Sequence, residues 1–373
     1  MTVLSNIKLF DGICFRDETA IAFDNGVITE LGNMTTGIDM GGRMMTPGLI
    51  DLHIHGQMGE DSMRPGGVSH ISATQVQFGV TSFCPTSVTN SNHAIRAFLE
   101  NVRQAMTTSQ GARVLGAYLE GPYLDQSLRG VHDSRFLKDP LISHYRVLVE
   151  GYEDLIIRIT LAPEKTGGMS LVQYLVNQGI TVSIGHSSAT ADETENAIHL
   201  GVSTTTHTFN AMHPLHHRQP GVLGVALTHP DIKLEFIADM VHIDPLIVEL
   251  IYKVKGVEGC FYCTDSMEAA GMPDGHYRLG PSNVTVENGI ARKGDRLAGS
   301  TLTMDRGLRL LVEETNIPLH DALRMGTSNP ADVIGRSDLG RLLPGAKADF
   351  VLWDESLNVK ATYVDGQCLY RAD

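Results

Sequence analysis

Histidine and carboxylate side chains recur where short apolar runs of this sequence end. The residues in question are His53, His55, Glu120, His186, His207 and Asp265. Imidazole and carboxylate are the ligands that suit zinc and similar divalent ions. A lone histidine of this kind is more often a hydrogen-bonded structural residue. Repetition of the pattern at five separate strand ends instead indicates a metal site, to which alternation along one strand lets His53 and His55 both contribute.

The elements that must position these side chains form a regular series. Apolar, β-branched runs, each predicted to be a strand, cover residues 49–55, 79–87, 113–120, 156–164, 180–186, 203–210, 233–239 and 259–265. Segments with helical spacing of apolar residues lie between several of them, at 90–106, 169–177, 192–200 and 245–255. This alternation predicts an α/β fold, a (β/α)₈ TIM-type barrel, whose strand ends meet at one mouth. The sixth connection, 211–231, is rich in His, Pro and Gly and is predicted to be a functional loop rather than a plain helix.

Both ends of the chain have a different pattern. Residues 21–31 alternate around Asn25-Gly26, and residues 360–370 alternate around Asp365-Gly366, which are type I′ hairpin signals. Each end is too short to bury a core alone. We therefore predict that residues 1–46 and 340–373 pair into a small β-sandwich domain and that residues 47–339 form the barrel.

Composition excludes several functions. A net charge of −14 without a Lys/Arg cluster argues against nucleic-acid binding. No apolar stretch approaches the roughly 20 residues of a membrane span, and the first residues lack the apolar segment of a signal peptide. We expect a cytoplasmic enzyme with reduced cysteines. Cys260 and Cys263 form a CxxC, but they lie in an apolar run that predicts core packing rather than redox or zinc chemistry.

The motifs together are similar to those of a known family. Asp51-Leu-His-Ile-His55 resembles the first-strand motif of the amidohydrolase superfamily. Within it, the resemblance is to the N-acetylglucosamine-6-phosphate deacetylases, possibly their N-acetylgalactosamine branch. It is carried by residues 118–123 (YLEGPY), 206–212 (THTFNAM), 217–221 (HRQPG), 264–265 (TD) and 270–275 (AGMPDG), and by the flanks 46–51 and 343–349. The likeness covers nearly the whole chain.

The resemblance implies a metal-dependent hydrolase of an acetamide. Glu120, His186 and His207 would hold one divalent ion. His53 and His55 would supply a second site that shares Glu120 and includes Asp265. Some members of the family replace the paired histidines and use one metal, so their presence here favours two ions per subunit, zinc or iron.

Roles for further residues also follow from the resemblance. Asp265 would be the catalytic acid and base, and His242 would contact the substrate carbonyl and stabilise the charge that develops there. The resemblance implies substrate contacts from His132, Asn210, Ala211 and Arg218, of which Arg218 would bind the phosphate because guanidinium suits phosphate oxygens. The crowded histidines of the same loop, His213, His216 and His217, are interpreted as loop residues.

Other functions stay open from the sequence. The substrate could be the galactosamine epimer, because no motif displays the contacts that distinguish one sugar hydroxyl. A deaminase or cyclic amidase on the same barrel would have no use for Arg218, and a non-catalytic relative would have lost its ligands, which this chain retains. The resemblance also implies a homodimer.

Overall fold

The computed structural model describes residues 1–34 and 36–372. The chain begins with strands β1 (Thr2–Leu9), β2 (Ala20–Asp24), β3 (Val27–Gly32) and β4 (Ile38–Pro47). β2 and β3 form the predicted antiparallel hairpin, and β1 pairs antiparallel with β2 and parallel with β4. Asn25 and Gly26 at the hairpin turn have φ of 49° and 77°, which is the left-handed geometry that a type I′ turn requires.

The barrel follows directly. Its strands and the small hairpin β6–β7 are β5 (Leu49–Ile54), β6 (Gly56–Gln57), β7 (Glu60–Asp61), β8 (Val80–Ser87), β9 (Arg113–Val114), β10 (Ala117–Glu120), β11 (Ile156–Leu161), β12 (Thr181–Ile184), β13 (Thr204–Thr205), β14 (Lys233–Ile237) and β15 (Cys260–Cys263). The parallel order is β5-β8-β10-β11-β12-β13-β14-β15. The predicted third run is split at Gly116, where a side chain would collide with Ile157.

Contacts between the first and last strands close the barrel. Ile54 and Ser266 form a parallel bridge, and the His55 amide donates to the Ser266 carbonyl at 2.9 Å. The buried carboxylate of Asp51 accepts the Thr264 hydroxyl at 2.6 Å. The predicted eight-stave barrel is therefore confirmed within the described residues.

Helices cover the outside of the barrel. They are α1 (Gly67–Gln75), α2 (Asn92–Thr108), α3 (Ile142–Val149), α4 (Gly168–Asn177), α5 (Ala191–His199), α6 (Gly221–Thr228), α7 (Pro245–Lys255), α8 (Met304–Glu314), α9 (Leu319–Gly326) and α10 (Ser328–Val333). Short 3₁₀ turns lie at Val76–Phe78, Ser134–Phe136, Glu153–Leu155 and Val257–Gly259. Local signals explain where helices start: Thr190 and Glu193 form a capping box before α5, and Asp244 caps α7 ahead of Pro245. The connection at 211–231, predicted to be a functional loop rather than a plain helix, contains α6, an apolar helix whose glycines weakened its pattern.

A separate antiparallel sheet follows the last barrel strand. It consists of β16 (Gly275–Leu279), β17 (Ser282–Glu287), β18 (Ile290–Lys293) and β19 (Arg296–Leu297). Val284, Val286 and Ala291 are buried in its own small core. Asp61 on β7 accepts the Gly280 amide at 2.9 Å, and this contact fixes the inserted sheet beside the barrel mouth.

The chain ends with β20 (Phe350–Trp353), β21 (Val359–Val364) and β22 (Gln367–Arg371). These strands join the first four in the order β22-β21-β20-β4-β1-β2-β3, so both chain ends build one sheet as predicted. The exact division at residues 46 and 340 stays a prediction.

Two other expectations concern the CxxC cysteines and membrane-spanning helices. Cys260 and Cys263 are buried in β15, three residues apart and thus on opposite faces, which fits packing rather than a shared ion. Among the helices of residues 1–34 and 36–372, none has both the length and the apolar character needed to cross a bilayer.

Candidate active site

The predicted ligands meet at the carboxyl ends of the barrel strands. His53 lies on β5, Glu120 ends β10, and His186, His207 and Asp265 follow β12, β13 and β15. The last three have φ of 47°, 30° and 46°, a left-handed backbone that is uncommon outside glycine. Such strained positions cluster at functional sites, and here they turn each side chain away from its strand and into the mouth.

One ligand group consists of Glu120, His186 and His207, all buried. The Oε1 atom of Glu120 lies 3.3 Å from Nε2 of His186 and 3.0 Å from Nε2 of His207. The two Nε2 atoms are 3.2 Å apart. Ligands about 2.0–2.1 Å from a tetrahedral ion lie about 3.3 Å from one another, so this triangle has the dimensions of a metal site.

A second group adjoins the first and consists of His53, His55 and Asp265. The Nε2 atoms of the two histidines are 3.2 Å apart, and Asp265 Oδ1 lies 3.1 Å from that of His55. The other oxygen of Glu120, Oε2, is 3.3 Å from His55 Nε2. Glu120 therefore faces both groups, as a carboxylate shared between two ions would.

The remaining hydrogen bonds of the imidazoles test whether a cation fits. The Nδ1 atoms of His53, His55 and His186 lie 2.9, 3.2 and 2.9 Å from acceptors on Glu235, Thr86 and Leu128. An Nδ1–H that donates to these acceptors leaves an Nε2 lone pair, which then faces carboxylate oxygens and another lone pair. Such an arrangement is repulsive unless a positive charge, either a metal ion or added protons, lies between the atoms. The donor set thus fits a divalent metal, with the outward hydrogen bonds that metal-binding histidines ordinarily make.

The electrostatics of the site favour charged carboxylates. Burial alone would raise the pKa of Glu120, but the imidazoles around it, foremost His132 and His53, hold that pKa well below its usual value. Asp265 behaves in the same way, because His53 and His55 outweigh its burial and lower its pKa. Burial lowers the pKa of His186 to about 4, which keeps this imidazole in the neutral form that binds metals.

A cavity of about 390 Å³ opens above these groups. Its walls include most of the residues that the sequence assigned to catalysis or substrate: His132, Asn210, Ala211, His242 and Asp265. Its floor is formed by Glu120, His186, His207 and His55. Below this floor, His53 is fully buried.

Comparison with known proteins decides the family. The amidohydrolase family model matches residues 44–369. The chain belongs to the amidohydrolase family. It is 35% identical to an N-acetylglucosamine-6-phosphate deacetylase of Lysinibacillus sphaericus over 98% of this chain and 97% of that protein. It is 34% identical to an N-acetylgalactosamine-6-phosphate deacetylase of Escherichia coli O157:H7, over 94% of each chain.

A solved structure agrees with these relatives. The fold superimposes with a TM-score of 0.92 on an N-acetyl-D-glucosamine-6-phosphate deacetylase from Mycobacterium smegmatis, an aspartate-to-alanine variant in complex with N-acetyl-D-glucosamine-6-phosphate. The two are 30% identical, and the match covers 99% of each chain. This amidohydrolase is therefore a hydrolase of a metal-dependent family and has candidate ligand groups in the expected place.

Arg218 is not among the described residues that line the cavity of this amidohydrolase. It lies on an exposed loop, where its Nη1 is 2.7 Å from Nε2 of His217. The rings of His216 and His217 pack together at 4.5 Å in the same loop. His216 and His217 are thus outside the lining of the cavity, and the structure does not bring Arg218 into the cavity of its own chain.

Sequence reasoning missed Glu235, which supports the site from below. This residue of β14 is fully buried, and its Oε1 lies 2.9 Å from His53 Nδ1 and accepts the His207 amide at 3.0 Å. Its other oxygen pairs with the buried guanidinium of Arg158 on β11. Burial opposes ionisation of Glu235, but Arg158 and His53 outweigh it and lower the pKa to about 2. The available signal was a charged residue within an apolar run: Arg158 in residues 156–164 and Glu235 in residues 233–239.

His132 both lines the cavity and contacts Glu120, a member of the first ligand group. The Thr89 amide donates to its Nδ1 at 3.1 Å, so its Nε2 carries the proton. That Nε2 lies 3.3 Å from Oε2 of Glu120. His132 therefore orients the Glu120 carboxylate and favours its ionised form. It also faces the cavity where a substrate would lie.

His242 has a carboxylate partner that the sequence analysis did not identify. Its Nδ1 lies 2.7 Å from Oδ2 of Asp239, and the same aspartate accepts the His242 amide through Oδ1. The carboxylate fixes the orientation of the ring, whose Nε2 remains for a ligand in the cavity that His242 lines. His242 can therefore supply a hydrogen bond to a negative oxygen in the cavity.

Proposed function

We propose that this amidohydrolase hydrolyses the acetamide of N-acetyl-D-glucosamine 6-phosphate to D-glucosamine 6-phosphate and acetate. The observation that carries the proposal is the convergence of two ligand groups, the second of which includes Asp265, at one cavity of about 390 Å³. Full-length relatives that carry deacetylase names support it.

We propose that two divalent ions, zinc or iron, bind per subunit. Glu120, His186 and His207 would hold the first, and His53, His55 and Asp265 the second, with Glu120 shared. When bound, such ions supply Lewis acidity and lower the pKa of water. Metal analysis of the purified protein, by mass spectrometry, tests both the number and the identity; a single ion per subunit in fully active protein would contradict the proposal of two.

Asp265 is proposed as the acid and base of the reaction. An amide is a poor electrophile, so its hydrolysis needs a proton removed from the attacking water and a proton given to the departing nitrogen. The lowered pKa of Asp265 keeps it ionised and ready to accept the first proton. The same carboxyl then holds the proton within the cavity for the amine.

His242 is proposed to stabilise the oxyanion that forms at the carbonyl. With Asp239 holding its Nδ1, the ring is oriented so that Nε2 can donate a hydrogen bond to this oxygen. Asn210 Nδ2, which has no hydrogen-bond partner among the described residues, is available to the substrate beside Ala211 and His132. A phosphate contact from Arg218 stays a prediction.

Acetate release measured with the purified protein tests the proposed function. N-acetyl-D-glucosamine 6-phosphate and its galactosamine epimer are compared at equal concentrations and metal loading. We expect the higher kcat/KM with the glucosamine substrate. A clear preference for the epimer would move the assignment to the galactosamine branch, and acetate release from neither would overturn deacetylation of these sugars.

We also propose a homodimer in the cytoplasm. The α7 helix exposes Leu246, Leu250 and Val254, at 74%, 38% and 49%, on one face at a spacing of four residues. A stripe of this kind is typical of an interface with another copy. Light scattering after size-exclusion chromatography tests it: we expect the dimer mass for the native chain and the monomer mass for Leu246→Glu. A monomeric native protein would contradict the proposal.

A further inference from the structure

We propose that Ser300 is a positioning residue for Asp265, an inference that rests on the proposed function. Ser300 follows β19 of the inserted sheet and is buried. It is not among the described residues that line the cavity. Its contacts are instead with the backbone on both sides of Asp265, the proposed acid and base of the reaction.

Hydrogen bonds from Ser300 fix the peptide groups before and after Asp265. The Ser300 hydroxyl donates to the carbonyl oxygen of Thr264 at 2.5 Å, and the Ser300 amide donates to the carbonyl oxygen of Asp265 at 2.8 Å. On the opposite side, the Asp265 amide donates to the carbonyl oxygen of His53 at 2.8 Å. The peptide group that joins Thr264 to Asp265 is therefore held at both its oxygen and its nitrogen.

The backbone of Asp265 needs this support. Its φ of 46° is left-handed, a conformation that costs free energy in residues other than glycine and persists only where the surroundings hold it. Rotation of the preceding peptide group would release the strain and turn the side chain away from His55, whose Nε2 lies 3.1 Å from Asp265 Oδ1. Loss of the Ser300 hydroxyl removes one of the two hydrogen bonds that oppose this rotation.

The segment that carries Ser300 is shaped for this contact. At Gly299, where φ is 61°, an added Cβ would lie 3.1 Å from the carbonyl oxygen of Asp265. Glycine at this position therefore lets the segment approach Asp265 closely. The Ser300 carbonyl accepts the Met267 amide at 3.0 Å, and Ser266 and Ser300 form a parallel bridge. The inserted sheet is thereby connected to the strand end that carries Asp265.

A purely structural role for Ser300 is the competing explanation that the test must separate. The same hydrogen bonds connect the inserted sheet to the barrel, so their loss could lower stability without acting through Asp265. A positioning role makes the effect of Ser300→Ala depend on the Asp265 carboxylate. A structural role makes that effect independent of the carboxylate.

A double-mutant cycle distinguishes the two roles. The variants are Ser300→Ala, Ser300→Thr, which keeps the hydroxyl, Asp265→Asn, and the combination of Ser300→Ala with Asp265→Asn. Thr301→Ala is the matched control, because the Thr301 hydroxyl donates to the Gly289 carbonyl oxygen within the inserted sheet. For each purified full-length protein we measure kcat, KM, the free energy of unfolding in urea and, after chelator treatment, zinc binding by calorimetry.

Loss of a hydrogen bond behind a metal ligand predicts a kcat about 10–100-fold lower for Ser300→Ala, with KM little changed. Zinc affinity should fall in one binding step and stay native in the other, because the first ligand group does not include Asp265. We expect Ser300→Thr to recover most of both values and Thr301→Ala to match the native protein. In the Asp265→Asn background, Ser300→Ala should cause no further loss.

Two results would overturn the assignment of Ser300. One is a native kcat and zinc affinity in Ser300→Ala, and the other is a loss by the same factor with and without the Asp265 carboxylate. Failure of the proposed function is a separate result. If the native protein releases no acetate from either sugar phosphate, the zinc affinities of the same cycle still decide whether Ser300 acts through Asp265.

Discussion

Two groups of charges in this amidohydrolase, one buried and one partly exposed, are built in opposite ways. The mouth cluster consists of His53, His55, Glu120, His186, His207 and Asp265. The junction cluster, where the barrel meets the terminal sheet, consists of Arg113, Asp349, Asp365 and Lys347. In the junction cluster every charge meets an opposite one: Arg113 pairs with Asp349 and, at 2.8 Å, with Asp365, which also lies 3.1 Å from Lys347.

The mouth cluster is not balanced in this way. Its imidazole nitrogens and carboxylate oxygens converge at 3.0–3.3 Å, and no lysine or arginine belongs to the cluster. A group of charges that satisfies itself holds the fold together, whereas one that does not is completed by a ligand. Changes at the mouth should therefore reduce activity with little effect on stability, and changes at the junction should do the reverse.

Removal of metal should have the largest effect on activity. Dialysis against a chelator should abolish acetate release, because without a cation the mouth cluster loses the Lewis acid that the chemistry needs. Circular dichroism should show the barrel intact, and added zinc or iron(II) should restore turnover. Full activity in protein shown by elemental analysis to be metal-free would remove the basis of the comparison.

The Asp265→Asn substitution should have the second-largest effect on activity. Loss of a general acid and base lowers kcat by about 10²–10⁴-fold, while KM should change little. Retention of the first group, Glu120, His186 and His207, should preserve at least one bound ion per subunit. Near-native kcat in this variant would assign proton transfer to another residue.

How much of this could be predicted from sequence depends on how local each signal is. The strand ends and their ligands were predicted because residue type and periodicity act over a few residues, and Thr190 with Glu193 marked a helix start equally locally. Residues 275–297 were missed as a sheet because their strands are short and polar. Asn288-Gly289, with φ of 53° and 73°, was a hairpin signal that could have revealed them.

Pairings between distant strands were beyond local patterns. Glu235 and Arg158 each interrupt an apolar run, but their contact joins β14 to β11 and depends on how the barrel brings side chains together inside it. Asp239 and His242 lie only three residues apart, but their contact depends on a turn with a left-handed residue at Met240. The position of Arg218 outside the cavity depends on the path of a long loop. Such features follow from tertiary geometry, not from residue type.

Glu235→Gln should have an intermediate effect, because this residue lies outside both clusters but contacts His53 of the mouth cluster. It holds His53 for the mouth and balances the buried Arg158. Loss of a hydrogen-bond partner behind a metal ligand typically lowers metal affinity or activity by about 10–100-fold. Metal titration and kcat measure it, with Glu258→Gln, an exposed partner of Arg324, as the control.

The Glu235→Gln variant should also change how folding stability depends on pH, and acid unfolding measures this. The folded-state pKa of Glu235 is lowered to about 2, so its ionised form stabilises the fold above its ordinary pKa of 4.5, and that stability is lost as pH falls from there towards 2. Glu235→Gln should therefore lose less stability than the native chain over this range. An equal loss in both proteins would show that Glu235 does not contribute to the acid sensitivity.

Asp349→Asn should have the smallest effect on activity. Asp349 is buried with Arg113, and its loss leaves that guanidinium with Asp365 as its charged partner. Since one carboxylate remains, we expect the free energy of unfolding to fall by about 1–2 kcal/mol, near the lower end for a buried charge with a missing partner. Urea unfolding followed by circular dichroism measures this change, and kcat, KM and metal content should match the native protein. A junction that satisfies its own charges has no physical route to the ligands at the opposite end of the strands, so the substitution should leave them unaffected. If the variant instead lost metal or turnover while its stability was unchanged, the two clusters would not be separable into a structural and a functional one.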